Sequence, residues 1–303
     1  MKSGVEKETG MHVKRHIFIV SLAGWLVMTS PCPASPGPQS DRNAAPPGST
    51  TEAVAPLPSG DQVIRRMMDR STAMATATNA PAWAYDKRTV MEKLDSDAKV
   101  EERTEKLYRV QIIRGMPLSQ LVKVEGRDLN EAEIKKENQR EAAFQKQLSG
   151  RDPKRAVKQR ESFITTNLIE RFEFKALRRE AVGGRQTIVV SFEPKPGKDD
   201  GSIQDRLLSR MAGMLWVDEA TSDVARLQVQ LTKGFSMGLL GVLGSIKECR
   251  MNLESKPMTD GTWLPEKTTM SISARMFLSS IRFQMEETSS NFTLEAKPEP
   301  ILP

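Results

Sequence analysis

The stretch MLWVDEATSDVARLQVQL, residues 214–231, contains two apolar-rich runs on either side of the polar segment DEATSD. In the second run, Leu227, Val229 and Leu231 alternate with polar residues, and this period of two is typical of a strand with one buried and one wet face. The segment between the runs is rich in residues that favour turns. The stretch therefore predicts two half-buried antiparallel strands joined by a short turn.

The same alternation recurs on both sides of this pair. It covers residues 83–94, 100–113, 118–124, 172–176, 187–192, 270–276 and 281–286. Short connections such as Gly183-Gly184 and Asp260-Gly261 favour antiparallel neighbours. We count about nine to eleven strands and no repeat of 20–50 residues, which argues against a propeller or solenoid. The predicted fold is mainly β with α: one curved antiparallel sheet that forms an unclosed half-barrel capped by helices.

A leading helix is predicted from about residue 61, and its apolar face consists of Val63, Ile64, Met67 and Met68. Ser59 or Asp61 can cap its N-terminus. The apolar face is interpreted as a surface that docks on the rest of the domain. Contact with lipid is the alternative.

A charged insertion occupies residues 130–160. Asn130 and Glu133 have the spacing of a capping box, and Gly150 can end the helix that follows. The apolar side of this helix is thin, with Ile134, Phe144 and Leu148. We interpret the insertion as a solvated helical arm, and a partner-binding arm is the alternative.

The N-terminal region has the pattern of an export signal. A basic segment ending at His16 precedes an uncharged apolar stretch, residues 17–28, which is too short to span a bilayer. We predict a signal peptide over residues 1–34, a disordered Pro/Ser-rich linker over 35–59, the domain over 60–297 and a tail over 298–303. The expected location is the periplasm of a Gram-negative-type envelope. Lipid anchoring at Cys32 is the alternative to cleavage after Ala34.

The predicted mature chain is poor in catalytic side chains. Both histidines, His12 and His16, lie in the signal, and Cys249 would be the one remaining cysteine. The loss of both histidines with the signal excludes Ser-His-Asp and Cys-His catalysis and zinc held by histidine. The acidic residues Asp218, Glu219 and Asp223 are interpreted as turn residues. We therefore expect a protein that is not an enzyme and uses no cofactor or metal.

Charge argues against nucleic acid as a partner. The chain has 45 Lys and Arg and 39 Asp and Glu, a formal net charge of +6. The basic residues are spread along the sequence, whereas nucleic-acid binders gather them into a patch or stripe.

The stretch KGFSMGLLGVLGSIK, residues 233–247, breaks the strand pattern. Its glycines do not have the spacing of a phosphate-binding loop. Two interpretations remain: a short buried segment that fills the core, or a mobile apolar flap at the mouth of a cavity. The methionines of the C-terminal half allow a similar choice between core packing and an adaptable ligand surface.

Two motifs resemble the outer-membrane lipoprotein-sorting and carrier family, the LolA/LolB-like proteins. They are Trp216-Val217-Asp218 with the returning Arg226-Leu227, and the later Trp263-Leu264-Pro265. The resemblance covers roughly residues 61–296. It implies an unclosed barrel, capped by helices, whose apolar cavity holds acyl chains.

On this basis the expected function is non-catalytic binding of lipid, or of the acyl chains of lipoproteins, in outer-membrane lipoprotein sorting. Expected partners are these acyl chains and membrane proteins of the envelope, and the chain is expected to be a monomer. The candidate lipid-binding residues are Val63, Met67, Trp216, Phe235, Met237, Leu239, Leu240, Val242, Leu243 and Met276. The alternatives are a sensor or scaffold with a self-filled interior that binds a protein, and an enzyme that uses carboxylates or Lys.

Overall fold

The computed structural model describes residues 55–76, 82–113, 116–149, 167–197, 203–237, 244–276 and 279–295. The predicted signal peptide, most of the predicted linker and the second part of the charged insertion lie outside these residues. The described residues include four helices: α1 (Gly60–Thr76), α2 (Glu131–Ser149), α3 (Asn167–Arg171) and α4 (Ile203–Leu208).

In the part of the chain that the structure describes, twelve strands form one sheet. They are β1 (Ala82–Leu94), β2 (Val100–Ile113), β3 (Met116–Val124), β4 (Arg127–Asp128), β5 (Phe172–Val182), β6 (Arg185–Pro194), β7 (Met211–Asp218), β8 (Val224–Leu231), β9 (Phe235–Met237), β10 (Gly244–Pro257), β11 (Trp263–Met276) and β12 (Ser279–Glu295). The sequence predicted fewer strands because β4 and β9, with two and three residues, are too short to show an alternation.

The strand order is β4-β3-β2-β1-β12-β11-β10-β8-β7-β6-β5, with β9 paired to β10, and all pairs are antiparallel. The end strands β4 and β5 do not pair with each other in the described part of the chain, so the sheet stays open. The prediction of a mainly β, unclosed antiparallel sheet is confirmed.

One cross-strand row of paired residues defines the two faces of the sheet. From β5 to β1 it runs Phe174, Phe192, Gly213, Val229, Met251, Met270, Met285 and Met91. Directly paired residues project from the same face of a sheet. We call the face that carries this row the inner face and the other the outer face.

The largest apolar core lies on the inner face and is covered by α1. Val63, Ile64 and Met68 of α1 are buried against residues of β5 to β8, β10 and β11. This arrangement confirms that the apolar face of the leading helix docks on the domain. Of the two predicted caps, Ser59 and Asp61, the structure shows Ser59: its Oγ accepts a hydrogen bond from the backbone N–H of Gln62 at 3.3 Å.

Helix α1 starts almost in contact with the backbone of β5. A Cβ atom on Gly60 would lie 2.4 Å from both the carbonyl carbon and the carbonyl oxygen of Phe174. Any larger residue would have to push the helix away, so glycine is required here for close approach.

Helix α2 begins with the predicted capping box. The Asn130 N–H donates to Glu133 Oε2, and the Glu133 N–H donates to Asn130 Oδ1, both at 2.9 Å. Most of its described side chains are exposed, as expected for a solvated arm. However, the backbone N–H of Leu121 in β3 donates to Glu137 Oε1 at 3.0 Å, so α2 lies against the sheet.

Strand β6 is buried on both faces. Ile188 and Val190 belong to the inner core, while Val189 belongs to a second cluster, on the outer face, with Trp216, Ala225 and Trp263. The outer face of this part of the sheet is therefore covered by side chains and does not simply face water.

Candidate functional site

Four methionines occupy adjacent positions on the inner face. Met251, Met270, Met285 and Met91 pair in sequence across β10, β11, β12 and β1. The first three are buried and Met91 is half-buried. Neighbouring strands are about 4.8 Å apart, so the four side chains form a continuous apolar strip. Thioether side chains are flexible and adapt to irregular apolar surfaces.

The strip leads at one end to an aromatic group below α1. Phe172, Phe174 and Phe192 are mutually in contact, and the rings of Phe172 and Phe192 meet edge to face with centroids 5.6 Å apart. Helix α1 contributes Val63 and Met68 to the same core. At this end the inner face is therefore closed by the protein itself.

Beyond Met91 and Met285 the inner face becomes polar. Lys87 Nζ lies 3.1 Å from Glu287 Oε1, and the Thr89 hydroxyl donates to the same oxygen at 3.0 Å. The ammonium of Lys87 also lies 5.2 Å from the centre of the Tyr108 ring. The inner face thus joins an apolar strip to a compact ionic group, an arrangement that suits an amphipathic ligand.

Two tyrosines close to this ionic group stay protonated at neutral pH. Burial raises the pKa of Tyr85, and the charge of Glu287 raises it further. Burial also raises the pKa of Tyr108, while Arg140 of α2 acts in the opposite direction. Both phenols are therefore available as neutral hydrogen-bonding groups.

The structure brings some of the predicted lipid-binding residues together. Val63 and Phe235 are buried in the inner core, and Met67 packs against it. Phe235 also lies below the guanidinium of Arg210, which is 5.4 Å from the ring centre. Met237 and Met276 lie on strands β9 and β11, but their side chains are outside the description, as are residues 239–243 with Leu239, Leu240, Val242 and Leu243.

The apolar stretch 233–247 begins and ends in paired strands. Phe235 pairs with Ile246, and Met237 pairs with Gly244. The choice between a core-filling segment and a flap depends on residues 238–243, which lie outside the description.

Trp216 lies apart from the other predicted residues. It packs on the outer face with Val189, Ala225 and Trp263. The guanidinium of Arg226 covers it at 5.2 Å from the ring centre. The sheet separates its side chain from Val63 and Phe235, because alternate residues of β7 face opposite sides.

Asp218 links the two motifs that carry the family resemblance. Its Oδ2 accepts hydrogen bonds from the indole N–H of Trp263 at 2.9 Å and from Arg185 Nε at 2.5 Å. Its Oδ1 accepts from the backbone N–H groups of Ala220 and Thr221, both at 2.9 Å. Burial alone would raise the pKa of Asp218, but the hydrogen bonds, led by that from Arg185, outweigh it and lower the pKa. Asp218 is thus a turn residue, as predicted, and also a buried connection between β7 and β11.

Asp223 connects the same turn to α1. Its Oδ1 lies 3.4 Å from Arg70 Nε, and the carboxylate is almost completely buried. Burial raises the pKa of Asp223 to about 6, although the charge of Arg70 opposes this effect. Sequence reasoning did not find this pair because the two residues are 153 positions apart and neither stands out locally.

Other chemistry is sparse in the described residues. They contain no group of three or more His, Cys, Asp or Glu side chains arranged to hold a metal ion. The thiol of Cys249 is buried, which raises its pKa. None of the described helices has an apolar stretch long enough to cross a membrane.

Two surface clefts are lined by described residues. One, of about 460 Å³, runs along α2 beside Ile134 and Ala142. The other, of about 400 Å³, lies beside Val182, Ala225 and Ser255. Neither is lined by a predicted lipid-binding residue.

No protein-family model and no curated protein matches this sequence. Solved structures do match it. An outer membrane lipoprotein-sorting protein domain from Vibrio parahaemolyticus is 8% identical, with 80% of this chain and 94% of that chain covered and a TM-score of 0.30. A LolA superfamily protein from Nitrosomonas europaea is 7% identical, with coverage of 81% and 97% and a TM-score of 0.26.

The MucA/MucB complex of Pseudomonas aeruginosa also matches, with 10% identity, coverage of 78% and 99% and a TM-score of 0.24.

Proposed function

We propose that this chain is a non-catalytic binding protein of the cell envelope that holds lipid, or the acyl chains of lipoproteins, along the inner face of its open sheet. The observation that carries the proposal is the strip of four methionines, which is continuous with the aromatic core below α1 and ends at the Lys87–Glu287 ion pair. An acyl chain would lie on the strip, and the polar end of the ligand would lie at the ion pair.

Binding of this kind requires no nucleophile and no metal. An acyl chain that leaves water gains about 0.8 kcal/mol for each buried methylene group. Release then requires only a competing site of similar affinity. The lack of histidine in the predicted mature chain is compatible with this role.

Entry of a chain requires room on the inner face, and α1 is the element that we propose to move. Its apolar face fills the core, but its polar side is joined to the sheet through the Arg70–Asp223 pair at 3.4 Å. In this mechanism α1 acts as a displaceable cover. The Val63 and Met67 side chains exchange with the acyl chain.

A second function is favoured by one observation. Val63 and Phe235 are only 3% and 5% exposed, so this part of the interior is already filled by the protein's own side chains. A scaffold or sensor with a permanently filled interior would bind a protein partner at its surface. The two functions differ in whether the inner face takes up lipid.

The test is native mass spectrometry of the full chain, purified under mild conditions from the periplasm of a Gram-negative host, together with uptake of a fluorescent fatty acid. Co-purifying lipid or acylated peptide and saturable uptake of the probe are expected. Protein that is repeatedly empty and takes up no probe would overturn lipid binding and leave the scaffold function.

A pair of variants tests the position of the ligand. Met91→Glu places a charge at the half-buried end of the strip and should weaken probe binding at least tenfold, because the carboxylate must be desolvated beside the acyl chain. The control is Val122→Glu, on β3, where the native side chain is 41% exposed. Both variants should keep a cooperative urea transition. Equal probe affinity in both would contradict the strip as the binding surface.

A further inference from the structure

One end of the sheet collects basic side chains that lie far apart in the sequence. Four described segments meet there: residues 230–236, 244–250, 271–276 and 279–284. They are neighbours because β10 pairs with β8 and β9 on one side and with β11 on the other, and β11 pairs with β12. We call this region the basic end. Its basic residues are Lys233, Lys247, Arg250, Arg275 and Arg282.

The basic end carries almost no negative charge. Glu248 is the one acidic residue in the four segments, so five cations and one carboxylate give a net charge of +4. The whole chain of 303 residues has a net charge of +6. Basic residues that are spread along the sequence are therefore gathered at one place in the fold by strand pairing.

The five basic side chains are exposed, and none has an ion-pair partner among the described residues. Other basic side chains of the same strands are paired. Lys267 Nζ of β11 lies 2.9 Å from Glu286 Oε2, and Lys256 Nζ of β10 lies 3.9 Å from Glu266 Oε1. The charge of the basic end is thus available to an external partner.

The three arginines form one patch on the outer face. Arg250 of β10 pairs with Ser271 of β11. Arg282 of β12 pairs with Ser273, which is two residues further along β11 on the same face. Arg275 follows after another two residues. With strands about 4.8 Å apart and a rise of about 3.3 Å per residue, the three positions lie within about 15 Å.

The two lysines extend this patch at the β9–β10 pair. A Cβ atom on Gly234 would lie 3.2 Å from both the Cα and the carbonyl oxygen of Lys247, so Lys233 and Lys247 are close neighbours. Ser245, two residues before Lys247, pairs with Arg275. The lysines therefore lie beside the arginines.

These features fit a membrane surface with anionic lipids better than nucleic acid. A surface that binds single-stranded nucleic acid adds aromatic side chains on which the bases stack. The described exposed residues of the four segments include no aromatic one, because Phe235 is buried and Phe283 is half-buried. A group of about four to eight Lys and Arg side chains is typical of recognition of anionic lipids.

We propose that the basic end docks on a membrane surface that contains anionic lipids. The orientation follows from the acidic neighbour of the patch. Residues 92–103, at the β1–β2 connection, contain five acidic and three basic residues, and Leu94 pairs with Arg282. Lipid phosphates repel these carboxylates, so the sheet approaches the membrane with β8–β12 first and with the β1–β2 connection tilted away. Docking of this kind does not require a ligand on the inner face.

The experiment is co-sedimentation of the protein, purified from the periplasm, with two kinds of vesicle. One is phosphatidylcholine alone, and the other is equal parts of phosphatidylcholine and phosphatidylglycerol. Each Lys or Arg near an anionic surface strengthens binding about fivefold, so the anionic vesicles should bind at least about thirtyfold more tightly. The difference should disappear at about 1 M salt, where the Debye length is about 3 Å. Equal binding to both vesicles at low salt would overturn the proposal.

Two triple variants locate the surface, and both should keep a cooperative urea transition. The first removes three exposed cations of the basic end and should weaken binding to the anionic vesicles at least about thirtyfold: Arg250→Gln, Arg275→Gln and Arg282→Gln. The control removes the same charge at three lysines that have ion-pair partners: Lys123→Gln, Lys256→Gln and Lys267→Gln. Its affinity should change less than about threefold, because charges beyond the Debye length are screened.

Equal losses in the two triple variants would show that net charge, and not the basic end, drives binding. A single-stranded oligonucleotide that binds as tightly as the anionic vesicles, and that the first triple variant releases, would replace the membrane by nucleic acid as the partner. The outcome is separate from that of the proposed lipid site. The first triple variant should still take up the fluorescent fatty acid, and Met91→Glu should still bind the anionic vesicles.

Discussion

At the residue scale, Asp218 and Trp263 show how a motif acts through a partner far away in the chain. They are 45 positions apart, yet the indole N–H of Trp263 donates to the buried carboxylate of Asp218 at 2.9 Å. Arg185 supplies the countercharge. A buried carboxylate is tolerated only with such partners, so each of the three residues depends on the others.

Trp263→Phe should therefore lower the free energy of unfolding by about 1.5–3 kcal/mol, the range for a hydrogen bond to a charged group. Trp83→Phe is the matched comparison, because the Trp83 indole also donates to a carboxylate, Asp260, which is only partly buried. Water can replace that bond, and its loss should cost less. Urea denaturation measures the free energy of unfolding of both variants. Equal losses in the two would contradict the dependence of the buried Asp218 carboxylate on Trp263.

Asp223 should make stability depend on pH. Its pKa in the folded protein is about 6, above its usual value of 3.8. A raised pKa means that the folded state holds the proton more tightly than the unfolded state, so the stabilisation is complete below pH 3.8 and is lost as the pH rises through 6. Asp223→Asn removes this titration. The variant should therefore gain stability relative to the native protein between pH 4 and pH 7.5.

Urea denaturation at several pH values measures this difference. Arg70→Gln should make the loss larger and extend it to higher pH, because Arg70 is the charge that opposes the raised pKa of Asp223. A stability difference between Asp223→Asn and the native protein that does not vary with pH would rule out the raised pKa.

At the element scale, the position of α1 follows from two local features and one tertiary contact. The Ser59 cap and the apolar face define where the helix starts and which side is buried. The contact of Gly60 with the backbone of Phe174 sets how closely it approaches β5.

Gly60→Ala tests this close approach. By helix propensity alone alanine should stabilise α1 by up to about 1 kcal/mol. Here the new methyl group meets backbone atoms that cannot rotate away, so a net loss of about 1–3 kcal/mol is expected. Hydrogen exchange should also become faster in α1. Ser59→Ala serves as the control, because it weakens the cap and leaves the helix room to dock. A Gly60→Ala protein as stable as the native one would contradict the contact.

At the scale of the whole molecule, the order of strands places the last strand near the middle of the sheet. β12 pairs with β1 along one side and with β11 along the other. The last described strand therefore pairs with the first one. It connects strands β1–β4 to strands β5–β11, so the pairing between these two halves of the sheet depends on β12.

A chain that ends after Met276 should not fold cooperatively. It would lack β12, so β1 and β11 would each lose one of their two neighbouring strands and the methionine strip would be interrupted at Met285. Circular dichroism during urea denaturation is the measurement. A cooperative transition close to that of the full chain would show that the two halves are stable without this connection.

The sequence by itself determined the features that depend on neighbouring residues. Alternation predicted the long antiparallel strands, the start of the apolar face made Ser59 one of two possible caps, and the spacing of Asn130 and Glu133 predicted the capping box. These features can be predicted because they depend on residues only a few positions apart. It also placed Val63, Met67 and Phe235 among apolar residues. Only the tertiary structure decided that β1 lies beside β12, that Trp216 faces away from this group, and that Asp223 meets Arg70. These outcomes depend on strand order and register, which are set by the packing of residues far apart in the chain and have no local pattern.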